Sequence, residues 1–323
     1  MRYRRMGRSG LKVSEISLGG WFATPKQFDD HALTRLMSEA LERGVNLIDL
    51  ADIYDRGGVE ERYGHLLKGY PRHQVILSTK CYWPMSQGVN DCGLSRKHLH
   101  ESVHASLQRL QTDYIDLFHC HRFDQDTPLE ETIYAIGDLI RQGKILYWGV
   151  CGWNEIQLQE THVLCKELNI PTPISHQLLY NLIERGAERQ LMTASADLGL
   201  GVMTWSTLAG GVLAQTHHTQ GDTGNNEKNA WSDPVNNAVD QLKGNPGIDS
   251  SDCHSVLTRF TQVAQLSGVS PAQLSLLWSL RRPEVSSLIV GVSAAEQLKE
   301  NLDIFELEIS EDVWGTLDDL FPL

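Results

Sequence analysis

Several absences narrow this 323-residue chain before any motif is read. It has no membrane-spanning apolar run, and although the start MRYRRMGRSGLKVSE is basic, no apolar segment of signal-peptide length follows it. Six cysteines, at positions 81, 92, 120, 151, 165 and 253, never fall into a C-x-x-C pair. Dispersed through core-like segments, they read as free thiols of a reducing compartment. No long basic run offsets a formal net charge of -13, which repels a polyphosphate backbone. The expectation is a cytoplasmic protein with neither nucleic acid nor membrane as partner. Low-complexity blocks are also missing, and 41% hydrophobic with 21% charged residues is the composition of an ordinary folded protein with a sizeable core.

The dinucleotide fingerprint G-x-G-x-x-G is absent after the first strand, which argues against an open doubly wound sheet. What is present is alternation. The first twenty residues read as two short strands, RYRRM and VSEISLG, around the turn GRSGL. Apolar runs then alternate with amphipathic stretches: VNLID with VEERYGHLLK, VILSTK with SRKHLHESVHASLQRLQ, YIDLFHC with LEETIYAIGDLIRQ, ILYWGVC with EIQLQETHVLCKELN. TPISHQ with AERQLMTASADLG, GVMTWS, and SSLIVG with SAAEQLKENL continue the series. With SEISLG and DDHALTRLMSEALERG as the first unit there are eight, which predicts one (β/α)8 TIM barrel domain over residues 1–323 with an N-terminal β-hairpin. Residues 214–250, rich in Gly, Asn, Asp and Gln, form a long loop after the seventh strand, at the catalytic face of such a barrel, and read as a lid or substrate loop.

The stretch NLIDLADIYDRG, residues 46–57, starts as a buried strand and ends in acids, a tyrosine and a glycine. In a parallel barrel the C-terminal strand ends share one face. Asp49 ends the second strand, Lys80 the third and His121 the fourth, with Tyr54 just past the second. An ammonium beside a phenol favours the phenolate and lowers a pKa of about 10, an aspartate keeps the ammonium charged, and an imidazole donates to a substrate oxygen. Together they fit proton transfer to a carbonyl oxygen, with hydride from elsewhere. HESVH, residues 100–104, matches the H-E-x-x-H zinc signature, but on the third crossover helix, away from the strands' C-terminal face and without a third ligand nearby, so no metal is expected there.

Beyond these residues, MRYRRMGRSGLKVSEISLGGW, NLIDLADIYDRGGVEERYG, LSTKCYW, GLSRKHLHESVHASLQRLQTDYIDLFHCHR, ILYWGVCGWN, MTWSTLAGGVL and GVSAAEQLKENL resemble the aldo-keto reductases over about residues 1–310. The likeness is to the branch with the potassium-channel β subunits and their bacterial relatives. It implies an NADP(H)-dependent reductase of aldehydes or ketones with Tyr54 as general acid, Lys80 as its pKa partner, Asp49 as support and His121 orienting the substrate. The channel subunits have Asn where His121 stands, which favours a working enzyme over the alternative, a cofactor-binding redox sensor. Relatives of this branch form tetramers or larger rings, so a homo-oligomer is admitted beside a monomer.

The same resemblance implies the cofactor residues. Gly20, Trp21 and Gln27 lie near the nicotinamide half, bordered by Asp49, with Gln177 on the carboxamide, Trp205 stacked on the ring, and Ser206, Thr207, Leu208, Ala209 and Gly210 along the pyrophosphate. Gly291, Ser293, Gln297, Glu300 and Asn301 surround the 2′-phosphate, where an S-x-x-E capping box of Ser293 and Glu296 makes a helix N-terminus available. Cys151 and Gly152 stand at the carboxamide contact where the family usually has Ser followed by Asn or Arg. Thr207 replaces the Pro of W-S-P-L, and Phe123 replaces the Pro of HRPD. Ala294 replaces a basic residue, so NAD(H) is expected to bind beside NADP(H).

Overall fold

The computed structural model describes residues 1–214 and 253–323, so the lid reading of residues 214–250 falls, apart from residue 214, outside the described residues. Ten strands are described: β1 (Tyr3–Arg5), β2 (Lys12–Ser14), β3 (Ile16–Gly19), β4 (Leu47–Asp49), β5 (Ile76–Cys81), β6 (Ile115–Cys120), β7 (Ile145–Cys151), β8 (Ser175–Leu179), β9 (Gly201–Trp205) and β10 (Val285–Val290). β3 to β10 close into a barrel in chain order, with β10 pairing parallel to both β9 and β3. This is the (β/α)8 TIM barrel predicted from the alternation.

One boundary differs from the sequence reading. VSEISLG is two strands rather than one, because the chain breaks at Glu15. β2 pairs antiparallel with β1, whereas β3 enters the barrel. Glu15 itself takes the Arg4 guanidinium at 2.6 Å, and Arg4 also donates to the carbonyls of Leu280, Arg282 and Val285. The hairpin is thereby fastened to the start of the last barrel strand and the turn that leads into it. Its Met6 and Val13 pack with Leu47, Ile76, Leu117, Met203 and Ile289 in a small interior core of their own. One mouth of the barrel is thus filled, and the opposite, C-terminal mouth is left for chemistry.

The α-helices among the described residues are α1 (Asp30–Glu42), α2 (Gly58–Leu66), α3 (Arg96–Leu110), α4 (Leu129–Arg141), α5 (Glu155–Glu167), α6 (Leu191–Asp197), α7 (Cys253–Leu266), α8 (Pro271–Leu280), α9 (Ala295–Leu302) and α10 (Glu311–Leu320). Their starts are chemically marked. Asp29 caps α1 through Ala32 N, Ser95 caps α3 through His98 N, and Asn154 with Gln157 forms a full capping box on α5. The apolar faces of α1 to α5 meet the outer faces of the strands in one continuous core. α2 and α3 approach most closely at Gly64, where an added Cβ would lie 2.2 Å from the Arg109 carbonyl oxygen. Glycine at that point is what lets the two helices that flank β5 seat side by side. No helix among the described residues is long and apolar enough to cross a membrane.

Candidate active site

Register brings the four singled-out residues to the open mouth. Asp49 ends β4, Lys80 is the penultimate residue of β5, His121 directly follows β6, and Tyr54 opens the short 3-10 turn Tyr54–Gly57. Lys80 is 1% exposed and Asp49 3%, so the ammonium must be compensated inside the protein. It donates to Asp49 Oδ2 and to the Leu50 carbonyl, each at 2.6 Å. The other carboxylate oxygen, Oδ1, accepts from Ser78 Oγ at 2.8 Å and Gln177 Nε2 at 2.6 Å. Asp49, at the end of β4, is therefore held by side chains from two other strands, β5 and β8, and it holds Lys80 in turn. The third direction of the ammonium points to Tyr54 Oη at 3.5 Å, the outer limit of a hydrogen bond.

The electrostatics depart from the simple expectation at one group. Burial raises the Tyr54 phenol above its ordinary pKa, and the opposing pull of Lys80 does not outweigh it. The ammonium works in the expected direction, but desolvation of the phenolate wins. Burial works against the charge of Lys80 as well, yet Asp49, Tyr54 and the hydrogen bond to Asp49 together hold its pKa above the ordinary lysine range. His121 is pushed well below the usual histidine range by burial and by the Lys80 and Arg122 charges. Its imidazole is neutral near pH 7, and its Nδ1 is buried without a protein partner.

Around these groups the surface is aromatic. The Trp21 ring meets Tyr54 edge-on at 5.0 Å, Tyr54 meets His121 at 6.4 Å, and Trp83 meets His121 at 6.2 Å. A cavity of about 220 Å³ is lined by Trp21, Phe22, Thr24, Gln27, Tyr54 and Asp55. Directly after Tyr54 the backbone is left-handed at Asp55 (φ 49°) and Arg56 (φ 50°), a costly conformation for non-glycine residues that concentrates at functional sites.

A second group of residues lies along the same mouth from β7 to β10. Cys151 is buried at the end of β7, with Arg122 Nη1 3.2 Å from its Sγ, and Gly152 (φ 65°) donates its N–H to the Gln177 carbonyl. Trp205 ends β9. Past it, Ser206 (φ 56°), Ala209 (φ 50°), Gly210 (φ 63°) and Gly211 (φ 94°) are all left-handed, and Asn181 fixes the bend by donating to the Ser206 carbonyl at 2.9 Å. Thr207 Oγ1 reaches the Ile289 carbonyl of β10 at 3.4 Å, and Leu208 accepts the Gly211 N–H through its carbonyl. The bend is closed by its own hydrogen bonds, Ala209 N–H to the Ser206 carbonyl and Gly211 N–H to the Leu208 carbonyl, and two of its four left-handed positions are glycines, where that conformation costs least.

Beyond β10, Gly291 packs under Phe22, whose ring would lie 2.5 Å from an added Cβ. Phe22, which also lines the cavity beside Trp21 and Tyr54, thus joins the β10 end of this group to the first. The capping box expected of Ser293 and Glu296 does not form. The N-cap of α9 is Ala294, one residue later, and Gln297, not Glu296, reaches back to accept from Ser293 N at 2.8 Å and Ser293 Oγ at 3.0 Å. Ala294 has no side-chain oxygen to cap with, so the helix borrows the amide of its third residue. Glu300 and Asn301 lie in the second turn of α9, Glu300 half-buried and Asn301 buried.

The model of the Aldo/keto reductase family matches residues 15–321, nearly the whole chain. The chain belongs to that family. A probable voltage-gated potassium channel subunit beta of Oryza sativa subsp. japonica is 36% identical over 310 residues, covering 95% of this chain and 92% of that protein. A protein of the same description from Arabidopsis thaliana is 35% identical over 308 residues, 94% of this chain and 90% of its own length. Membership of the aldo/keto reductases supports oxidoreductase chemistry in general and a nicotinamide cofactor as a class.

In this aldo/keto reductase family member the sequence reading left out several residues that the structure sets into the mouth. Phe22 adjoins the quoted GGW, and Trp83 ends the quoted LSTKCYW, so both were within sight. Gly211 likewise lies in the quoted MTWSTLAGGVL, whereas Asn181 carries no signal, since its place depends on how β8 ends. In HESVH, His104 is exposed and His100 half-buried; His104 Nδ1 meets the His100 carbonyl at 2.6 Å and the two rings stack at 6.4 Å.

Proposed function

We propose that this chain is an NADP(H)-dependent carbonyl reductase in which Tyr54 is the general acid. The observation that carries the reading is the buried Lys80 ammonium, fixed by Asp49 at 2.6 Å and turned toward Tyr54 Oη at 3.5 Å, with the neutral His121 beside the same opening. The left-handed bend at 206–211 would hold the cofactor's diphosphate, Gln177, Cys151 and Gly152 its carboxamide end, Trp205 its ring, and Ser293 and Gln297 a 2′-phosphate. The cofactor when bound supplies hydride to a carbonyl carbon.

The chain's own residues handle the proton. A carbonyl oxygen seated between Tyr54 Oη and the His121 imidazole gains charge as its carbon is reduced, and Tyr54 Oη delivers the proton that neutralises it. The phenolate left behind is stabilised by Lys80, whose charge Asp49 secures. His121, being neutral, keeps one N–H to donate and so aims the oxygen without competing as an acid. Raised by burial, the Tyr54 phenol stays protonated at neutral pH and is loaded before each turnover. The aromatic lining from Trp21, Phe22 and Trp83 suits a small carbonyl compound with an apolar portion. A cytoplasmic setting agrees with free thiols, and a homo-oligomeric as well as a monomeric state is compatible with this reading.

A second reading, a cofactor-binding regulatory subunit with little turnover, is favoured by the printed names of the two plant relatives. NADPH oxidation with a panel of small aldehydes, methylglyoxal and short sugars included, separates the two. Steady multiple turnover is the expected result; binding with a single slow turnover would replace the enzyme reading with the sensor.

A further inference from the structure

A second cluster of chemistry-bearing side chains lies behind the proposed catalytic residues, on no surface of the mouth. Asp52 lies between β4 and Tyr54, Cys81 follows Lys80 at the end of β5, and His98 is in the first turn of α3. All three are buried, and one ligand atom from each lies within 4.8 Å of the others. Among the described residues no other trio of His, Cys, Asp or Glu comes together in this way. The cluster is also unfinished. Asp52 Oδ2 accepts from Ser102 Oγ at 2.9 Å, but Asp52 Oδ1 and both ring nitrogens of His98 are buried without a hydrogen-bond partner. Buried polar atoms are ordinarily satisfied, so Asp52 Oδ1 and a ring nitrogen of His98, left open side by side, ask for a shared partner.

We infer that Asp52 Oδ1, Cys81 Sγ and a ring nitrogen of His98 form a binding site for a divalent transition-metal ion, with zinc as the ion their chemistry selects. One carboxylate, one thiolate and one imidazole are a mixed donor set of borderline softness, which disfavours magnesium and calcium. Zinc bonds of about 2.0–2.3 Å require the three atoms to close inward only modestly. A carboxylate stands near the other ring nitrogen: Asp91 Oδ1 lies 3.7 Å from His98 Nδ1, outside hydrogen-bond distance, and a small closure would give the bond that orients metal-binding imidazoles and leave Nε2 for the ion. Cys81 would bind as the thiolate, its proton passing to solvent, and a water would complete four-fold coordination. The ion would join the segment carrying Tyr54, the strand carrying Lys80 and α3. Its role is structural, so it stands or falls apart from the proposed reductase activity.

The site is distinguishable from HESVH on the same helix, because His104 is exposed and two turns further along. The test uses the full chain, stripped with a chelator, dialysed and titrated with zinc chloride against a chromophoric competitor. One equivalent is expected to bind. Cys81→Ser should raise the dissociation constant by more than the roughly 10–100-fold typical of losing a residue that merely orients a ligand, whereas His104→Ala should leave it unchanged. A cobalt(II) titration of Cys92→Ser, which removes the exposed thiol and none of the proposed ligands, guards against misfolded variants. A thiolate-to-cobalt charge-transfer band should appear there. No binding, binding indifferent to Cys81→Ser, loss on His104→Ala, or no such band would each overturn the inference.

Discussion

Asp49 touches Lys80 at 2.6 Å and Gln177 at 2.6 Å through different carboxylate oxygens, so a single side chain ties the ammonium under Tyr54 to the glutamine at the middle of β8. The proton-handling residues and the residues proposed to face the cofactor are therefore one rigid unit. This gives the substitutions below separable consequences.

Tyr54→Phe keeps the ring that Trp21 packs against at 5.0 Å and deletes only the hydroxyl. Carbonyl reduction should fall by at least about 10²- to 10⁴-fold, the usual worth of a positioned proton donor. NADPH affinity, followed by protein fluorescence, should stay within a few-fold. Wild-type turnover in Tyr54→Phe would remove Tyr54 from the mechanism.

Lys80→Met should do two things at once. It removes the charge that stabilises the Tyr54 phenolate, and it leaves Asp49 buried with only Ser78 and Gln177, at a cost of about 3–5 kcal/mol. The pH dependence follows from the sign of the lysine shift. Because the folded-state pKa is raised above the ordinary value of about 10.4, the pair's contribution is fully present below that value and is lost only as pH rises through the folded one. Denaturation of wild type and variant should accordingly differ by a constant amount between about pH 6 and 9. A difference that shrinks within that window would mean that the ammonium is not charged in the folded protein.

The acid limb of stability should instead come from buried neutral histidines. His176 is depressed by burial to about 3, and its Nδ1 meets Ser195 Oγ at 2.9 Å. A depressed folded pKa contributes stability that is full above the unfolded value of about 6.5 and is lost as pH falls toward the folded one. His176→Leu removes that dependence, and Ser195 keeps its bond to the Leu191 carbonyl. The variant's stability curve should be flatter by up to about 1.4 kcal/mol per pH unit between about pH 6 and 4. Parallel curves for the two proteins would refute the assignment.

The barrel was legible in the sequence because each strand and its helix carry different periods, and Asp49, Lys80 and His121 were legible because strand ends in such a barrel must converge. The break at Glu15 was not, since VSEISLG keeps its apolar spacing across it and only the Arg4 ion pair shows where the chain turns. SPAQLSLLWSL, which forms α8 under a Ser270–Gln273 capping box, was passed over because it is buried on most sides and has almost no polar face to mark a period. The start of α9 was misplaced by one residue. Glu296 and Gln297 are both long enough to reach back, and spacing does not decide between them. Asp52, Cys81 and His98 are far apart in the chain, and strand register with the seating of α3 brings them together.

The corrected start of α9 sharpens the last prediction. Ala294 is the N-cap, and both the N–H and the hydroxyl of Ser293 are engaged by Gln297 Oε1. A 2′-phosphate arriving here must displace that amide, and it meets no cation at position 294, so the preference for NADPH over NADH should be modest. Ala294→Arg supplies a charge at the N-cap itself, where a guanidinium can pair with the phosphate in two bonds. If well placed it is worth about 1.5–3 kcal/mol, roughly ten-fold or more in NADPH affinity, with NADH little changed. Gln297→Ala frees Ser293 but removes the amide proposed to hold the phosphate beside it, so it should not tighten NADPH as Ala294→Arg does. Dissociation constants for both cofactors, read from the quenching of tryptophan fluorescence, check each expectation. A wild-type preference of several thousand-fold, or an Ala294→Arg variant with neither constant altered, would place the reader of the phosphate elsewhere than residues 291–301.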